Sequence, residues 1–315
     1  MNITRCPLRI GLAGGSTDLE SFIQMNEYGS VINFPIDLYT YTLTHKDVLG
    51  LNSLGKYIIN YSTREECDNI EDIKNNIARI VLDNFEKEPC MIAMTSDLTA
   101  SGSGLASSSS YTVSMIKTVS ESVGIKLSNY DCCKLALNLE RQFNPLTGYQ
   151  DPYGCGMGGL KRLHFYRDKD PQIEYLPTEI FDNMDMYLIS TDTRRSSTEI
   201  LKGVESNQPV IKSLLSLVDD LEKSIKVSDV EEFSKIINEG WLIKKKASNK
   251  TTSPQIESLD NEIISTSGVL SRRLCGAGGG GFFLAFCEKG YSAILRNFPN
   301  ARKVNIDVDG VKGLK

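Results

Sequence analysis

Histidine is scarce in this sequence: His45 and His164 are the only two, so a histidine-rich zinc cluster or a Ser-His-Asp relay has little to be built from. A general base would therefore be a carboxylate or a lysine. Tryptophan occurs once, at Trp241 beside Leu242 and Ile243, where a place in the core is expected. No run approaches the roughly 18 apolar residues of a membrane span, and Met1 to Pro7 has no apolar leader core. A soluble, cytoplasmic protein without membrane contact is the expectation. Positive charge is not in excess: the net charge is −5 with 24% charged residues, which argues against both nucleic-acid binding and disorder. The eight cysteines, Cys6, Cys67, Cys90, Cys132, Cys133, Cys155, Cys275 and Cys287, form no C-x-x-C pair, as expected of reduced thiols filling a core. The nucleotide loop G-x-x-x-x-G-K-[ST] is missing too. After the glycines at 102 and 104 the first lysine is Lys117, about two turns into the next helix.

What is present centres on Gly102-Ser103-Gly104-Leu105-Ala106-Ser107-Ser108-Ser109-Ser110. It runs into a segment with apolar residues at Val113, Ile116, Val119 and Val123, and Gly124 follows as a stop signal. Glycines followed by hydroxyls at a helix start bring backbone N–H groups and the positive end of the helix dipole to one point. The composition alone would also suit a flexible linker; the helical continuation favours a phosphate-binding loop.

At 315 residues and 40% hydrophobic content the chain can bury a sizeable core in two lobes, residues 1–180 and 181–315. Thr4 to Leu12 reads as an edge-type strand carrying Pro7, and it enters a tight turn at Ala13-Gly14-Gly15-Ser16-Thr17-Asp18. Arg5 and Arg9 would share one strand face. Ser30 to Thr44 reads as a strand interrupted at Pro35, Lys56 to Tyr61 and Cys90 to Thr95 as strands, and Ile70 to Phe85 as one amphipathic helix. A helix begins with the capping pattern at Ser128 and ends near Phe143, with Glu140 in its last turns. Thr147-Gly148-Tyr149-Gln150-Asp151-Pro152 then places one acid among small residues, although Asp-Pro is also a turn initiator. Strands are expected at Lys161 to Tyr166 and Met184 to Thr191. Arg194 and Arg195 sit in a basic loop ahead of a helix from Thr198, either a second anion site or a solvated turn. Helices are expected over 209–225, 230–246 and 256–267. Gly276 to Gly281 matches G-x-G-x-x-G, yet a helix is expected before it and a strand after it, the reverse of a dinucleotide fold. A glycine turn whose backbone approaches a ligand or another loop fits better.

Three segments in order, Pro7 to Asp18, Gly102 to Ser110 and Leu274 to Gly281, resemble the signature motifs of the GHMP small-molecule kinases. The Gly-Gly-Ser-Thr-Asp turn, Glu140-Arg141-Gln142 with Gly148-Tyr149-Gln150-Asp151, and the four-glycine third motif look most like the branch acting on heptose 7-phosphates. Relatives acting on fucose-like sugars share much of the pattern. The resemblance implies an α+β, two-lobed fold with the active site in the cleft between lobes, and ATP and Mg²⁺ as cofactors. It implies a sugar kinase that phosphorylates the anomeric hydroxyl of a heptose 7-phosphate to the 1,7-bisphosphate for bacterial surface-polysaccharide nucleotide-heptose synthesis. A fucose-type kinase, a mevalonate-diphosphate-type decarboxylase and a non-catalytic sugar or nucleotide sensor are the alternatives. Partners would be a phosphosugar, with no nucleic acid and no membrane, and a homodimer is compatible with the sequence.

Carried over by motif, Gly102, Ser103, Gly104, Leu105, Ala106, Ser107, Ser108 and Ser109 would wrap the ATP phosphates. Ser107, Ser108 and Glu140 would hold the metal. Asp151 would be the base and Arg9 its neighbour at the transferring phosphoryl. Asp18, with Thr17 and Gly15, would meet the sugar, and Gly278 and Gly279 would close over it. The acceptor's own phosphate would be met by a cation among Arg194, Arg195, Arg5 and Lys161. Two positions depart from the family: Ala106 replaces a usual glycine, tolerable unless that residue needs positive φ, and Arg273 stands where a lysine is common.

Overall fold

The computed structural model describes residues 1–46, 55–98, 102–193, 207–291 and 293–314. Two long antiparallel strands, β1 (Asn2–Ala13) and β2 (Tyr28–His45), form the centre of an eight-stranded sheet. β3 (Tyr57–Asn60), β4 (Arg64–Cys67) and β5 (Met91–Ser96) extend it on one side, in the order β1-β2-β5-β3-β4. β6 (Lys161–Tyr166) and β7 (Gln172–Tyr175) extend it from the other half of β2. β2 is continuous through Pro35 rather than interrupted there. β6 pairs residues 28–33 of β2 and β5 pairs residues 40–45, so Pro35 lies between partners on that edge, where its missing N–H breaks no ladder bond.

Pro7 is accommodated in a related way. The C-terminal strand β12 (Lys312–Leu314) covers β1 only at Ile3 to Arg5, which makes β1 an inner strand there and leaves Pro7 beyond the pairing. The register against β2 shifts between Pro7 and Leu8. That irregularity overturns the expectation that Arg5 and Arg9 share a face: the simple alternation holds only while the pleat is regular. Cys6 packs in one apolar cluster while Leu8, Ile10 and Leu12 pack in another.

Over one face of this sheet lie α2 (Asn76–Asn84), α3 (Ser107–Ser122), α4 (Asn129–Glu140) and α5 (Gln150–Gly156). The single helix expected over 70–85 is two pieces, a 3₁₀ turn at Ile70–Asp72 and then α2. Asn75 accounts for the break, because its side chain accepts the Ala78 N–H at 2.9 Å and so starts a new helix. Ser128 caps α4 as its sequence pattern predicts.

The second layer is a four-stranded antiparallel sheet, β11 (Arg302–Val304), β8 (Met184–Ser190), β10 (Phe282–Glu288) and β9 (Val269–Leu274). α6 (Gln208–Lys226) packs on β1, β2 and α7 (Val230–Lys245), while α7 and α8 (Pro254–Ser265) pack on β9 of this second sheet. The third glycine segment therefore joins two strands, and a strand rather than a helix precedes it. α1 (Glu20–Asn26) follows the first turn, and α9 (Ala293–Asn297) lies near the end.

A boundary at 180 falls inside a 3₁₀ helix, Glu179–Asn183. The tail also crosses back, since Ile306 bridges Ile36, Gly310 bridges Met157, and β12 pairs β1. The last ten or so residues described thus belong with the first lobe. The largest apolar cluster joins Leu8, Ile10, Phe34 and Ile36 of the first lobe to Val218, Leu221, Ile237 and Phe286 of the second. Trp241 is 1% exposed and packs edge-on against Phe283, and all eight cysteines are buried and unpaired. Among the described residues no helix is long and apolar enough to cross a membrane.

Candidate active site

α3 is tied down by hydroxyls before it presents any to a ligand. Ser110 and Ser114 face the sheet and meet Thr40 and Thr42 at 2.7 Å each, so polar residues on a buried helix face are satisfied in pairs. The helix begins after Ala106, which has no side chain able to cap it. Its first-turn N–H groups thus lack a side-chain cap at the helix's positive end, a ready anion site. Ala106 adopts φ 59°, ψ 41°, the left-handed region in which a methyl group is strained. The departure from glycine at this position has a real conformational cost.

Around this helix start the residues divide by role. The Leu105 side chain is buried in the core rather than facing a ligand, and its carbonyl accepts the Arg9 N–H at 3.0 Å, locking the loop to β1. Ser103 and Ser107 hydroxyls lie 3.0 Å apart. Ser109, 1% exposed, donates to Glu140 Oε2 at 2.5 Å. Glu140 is 2% exposed, and burial pushes its carboxyl up to about 7 against the pull of the Ser109 and Ser108 hydroxyls.

Asp151 occupies the first turn of α5. Arg9 donates to its Oδ1 twice, from Nε at 3.0 Å and from Nη2 at 2.7 Å, while Nη1 donates to the Gly104 carbonyl at 2.9 Å. Asp151 Oδ2 has no hydrogen-bond partner among the described residues. One arginine thus links the acid, the glycine loop and β1. Lys161, fully buried, donates to the carbonyls of Met157 at 2.7 Å, Gly159 at 3.2 Å and Gly154 at 3.3 Å. It secures the far end of α5 and does not face the cleft, which removes it as a phosphate ligand; burial draws its ammonium down to about 7.

Asp18 lies on the floor of the same cavity, 1% exposed. It accepts from the Gln150 N–H at 3.1 Å and from Gln150 Nε2 at 2.7 Å. Burial, then the nearby Asp151 charge, push it up to about 6. Gln150 therefore couples the two acids in space, a role its place beside Asp151 did not reveal. Gly15 also borders the cavity. Thr17 does not: its hydroxyl donates to the Gly14 and Ser30 carbonyls at 2.7 and 2.8 Å, so it clamps the turn instead of meeting a sugar.

The wall facing these groups comes from the second lobe. Leu214 and Leu217 of α6, Gly240 and Lys244 of α7, Arg273, Gly276 and Ala277 close a cavity of about 270 Å³ with Arg9, Asp18, Glu140, Asp151 and the 102–109 loop. A Cβ on Gly276 would lie 2.5 Å from Gly104 Cα, and one on Gly281 2.2 Å from the Ser103 carbonyl oxygen. The third motif thus packs backbone to backbone on the second. Lys244 holds it from behind, donating to the Leu274 carbonyl at 2.9 Å and to that of Gly276. Gly278 and Gly279 turn away from the cavity onto Thr251, whose carbonyl accepts the Gly279 N–H at 2.6 Å. Arg5 is elsewhere too, paired with Asp309 at 3.2 Å and stacked on Tyr39. Arg194 and Arg195 lie outside the described residues.

Lys244 and Thr147 are site residues that sequence reading missed. Thr147 lines the cavity, 4% exposed, with a hydroxyl that has no partner among the described residues; nothing in its sequence context marks it. Lys244 had a signal: it continues the helical stripe Ile237, Gly240, Trp241, where a cation on an otherwise buried face asks for a reason.

An uncapped helix start, an arginine-bound acid whose other oxygen has no partner among the described residues, and a buried glutamate beside hydroxyls are groups that phosphoryl transfer could use. Residues 73–159 match the GHMP kinases N terminal domain and residues 217–302 the GHMP kinases C terminal domain, more than half of the chain between them. The D-glycero-alpha-D-manno-heptose 7-phosphate kinase of Campylobacter jejuni is 27% identical over 304 residues, 90% of this chain and 89% of that protein. The L-fucokinase/L-fucose-1-P guanylyltransferase of Bacteroides fragilis is 25% identical over 95% of this chain, which spans 36% of that longer protein. The fold is shared with a D-glycero-D-manno-heptose 1-phosphate kinase from Bacteroides thetaiotaomicron, with TM-score 0.79, 21% identity, 100% of this chain and 99% of that one. Lactococcus lactis galactokinase complexed with galactose has TM-score 0.76 at 14% identity, with 99% and 95% covered. The chain belongs to the GHMP kinases and is a phosphotransferase acting on a sugar.

Proposed function

We propose that this protein phosphorylates the anomeric hydroxyl of a heptose 7-phosphate with ATP, giving the 1,7-bisphosphate, in the cytoplasmic synthesis of nucleotide-activated heptose for bacterial surface polysaccharide. The observation that carries this reading is the Arg9–Asp151 pair, with Asp151 Oδ2 unpartnered among the described residues, in the cavity that the uncapped start of α3 also borders. Asp151 Oδ2 accepts the anomeric proton, the sugar oxygen bonds to the γ-phosphorus, and the bond from phosphorus to the bridging oxygen of ADP breaks. Arg9 orients the acid through its two hydrogen bonds and steadies charge on the transferring group. Asp18, held by Gln150, receives sugar hydroxyls.

The residues at the loop suit Mg²⁺, a hard cation that takes oxygen ligands, commonly one or two carboxylates beside phosphates. Glu140, 2% exposed and hydrogen-bonded by the Ser108 and Ser109 hydroxyls, would hold it together with the Ser107 and Ser108 hydroxyls. When bound, the ion neutralises phosphate charge. The heptose assignment draws on the full-length relative from Campylobacter jejuni. Phosphorus NMR of the product from ATP and heptose 7-phosphate tests it: a second, anomeric phosphate signal is expected, and its absence overturns the substrate. A fucose-type acceptor is the second reading, favoured by the Bacteroides fragilis relative; ADP release with L-fucose exceeding that with the heptose phosphate would select it.

A further inference from the structure

A substrate that already carries a phosphate, reacting with a triphosphate, brings two anionic groups into one cleft. Of the cations considered for the acceptor's phosphate, Lys161 is enclosed by carbonyls and Arg5 is paired with Asp309. Arg9 is committed to Asp151, and Lys244 to the Leu274 and Gly276 carbonyls. Arg273 is different. It lines the cavity on β9, and among the described residues its guanidinium has neither a hydrogen-bond nor an ion-pair partner, with Nε buried. Its neighbour Arg272 shows what this strand does with a structural arginine: alternation turns it inward, where Nε donates to Asp260 at 2.7 Å and Nη1 to Asn238 at 2.9 Å. Burial works against the charge on Arg273, and the nearby Arg9 guanidinium adds repulsion. Arg9 and Arg273 thus line one cavity, and of the two only Arg9 holds a carboxylate among the described residues, which leaves the Arg273 guanidinium for an incoming anion to pair.

We propose that Arg273 binds a phosphate group in the cleft beside Arg9, either the γ-phosphate of the nucleotide or the phosphate the acceptor already carries. This rests on the kinase reading and adds a binding residue to it. Arginine at this position rather than lysine offers a planar fork able to engage two phosphate oxygens at once.

The test is equilibrium binding by calorimetry to the full chain, wild type, R273M and R273K, with three sugar-free probes: ADP, a non-hydrolysable ATP analogue, and inorganic phosphate in the presence of ADP. ADP should bind all three proteins alike, which also reports that the loop is folded. R273M should lose at least tenfold in affinity for the ATP analogue if the γ-phosphate is the ligand, or for inorganic phosphate if the acceptor's phosphate is. R273K should fall between it and wild type. Ligand-free R273M should melt no lower than wild type, because it removes a charge without a partner. If R273M binds every probe within twofold of wild type, the proposal is overturned. Should R273M not fold, R273K decides: at least threefold weaker binding of one of the two anions is expected, and equal binding overturns it. None of the probes contains a sugar, so failure to turn over heptose 7-phosphate would leave this result standing.

Discussion

The loops Gly102–Ser110 and Gly276–Gly281 border the same cleft, one with two glycines among nine residues and the other with five among six, and they serve it differently. In the first, the helix start is what matters: the N-cap Ala106 supplies no side-chain cap to the α3 N–H groups, and the Ser108 and Ser109 hydroxyls bond Glu140. In the second, the closed contacts matter. Gly276 and Gly281 are small so that their backbone can touch Gly104 and Ser103, while Gly278 and Gly279 rest on Thr251. Small size serves lobe-to-lobe packing on both sides of that contact, since a Cβ on Gly104 would itself lie 2.7 Å from the Cys275 carbonyl oxygen; what sets the first loop apart is the helix start it leads into.

The largest effect that separates the two belongs to the chemistry around the first loop. D151N should lower kcat by about 10²–10⁴ while ATP affinity and melting temperature stay close to wild type, as read by coupled ADP release and calorimetry. Near-normal turnover would remove Asp151 from its role as base. The matching perturbation of the second loop is G276A. Its methyl would meet backbone at 2.5 Å, and φ there is 65°, so a stability loss of roughly 2–5 kcal/mol is expected. Urea unfolding measures it; an unchanged midpoint would show that the two loops do not pack as described.

A smaller effect concerns the buried acids. Asp18 and Glu140 are raised to about 6 and about 7, so between the ordinary carboxylate range and those values the folded protein holds more protons than the unfolded chain. Their contribution is fully present below the unfolded pKa and is lost as pH rises through 6 to 7. The urea midpoint of the ligand-free protein should therefore be higher at about pH 5 than at about pH 7.5, and Mg²⁺ with a non-hydrolysable ATP analogue should narrow the gap. A midpoint that rises with pH over this window would contradict the burial of these two carboxyls.

The smallest effect sharpens the comparison most. Ala106 is the position in the first loop where a side chain sits in a left-handed conformation with φ 59°. A106G should stabilise the protein by about 0.5–1 kcal/mol, the relief of that strain less the extra freedom glycine gives the unfolded chain. ADP affinity should not fall. Destabilisation would show that the Ala106 methyl contributes packing worth more than the strain.

Much of the site was legible as local pattern. The glycine-serine loop before an amphipathic helix, the Ser128 cap and the lone Asp151 on a short segment each follow from rules acting within a few residues. Thr17 and Leu105 were misread within a correct motif, because adjacent residues in a tight turn point in opposite directions, one to ligand and the next to core. Arg5 and Arg9 were paired by alternation until one irregularity against β2 separated them. Lys161 carries the charge of a ligand residue but is surrounded by carbonyls, which only chain packing brings together.

By itself the sequence determined most of the strands and helices around the Gly102–Ser110 loop and the start of α4 at Ser128, since propensity, capping and periodicity are short-range. Tertiary structure alone decided that Arg9 grips Asp151 across 142 residues, that Gly276 lies on Gly104, and that Arg273 lines the cleft without a partner among the described residues. Those outcomes depend on how two sheets share one apolar core and how a C-terminal tail returns to the first strand. Such long-range contacts are set by the packing of the whole chain, and no window of neighbouring residues contains them.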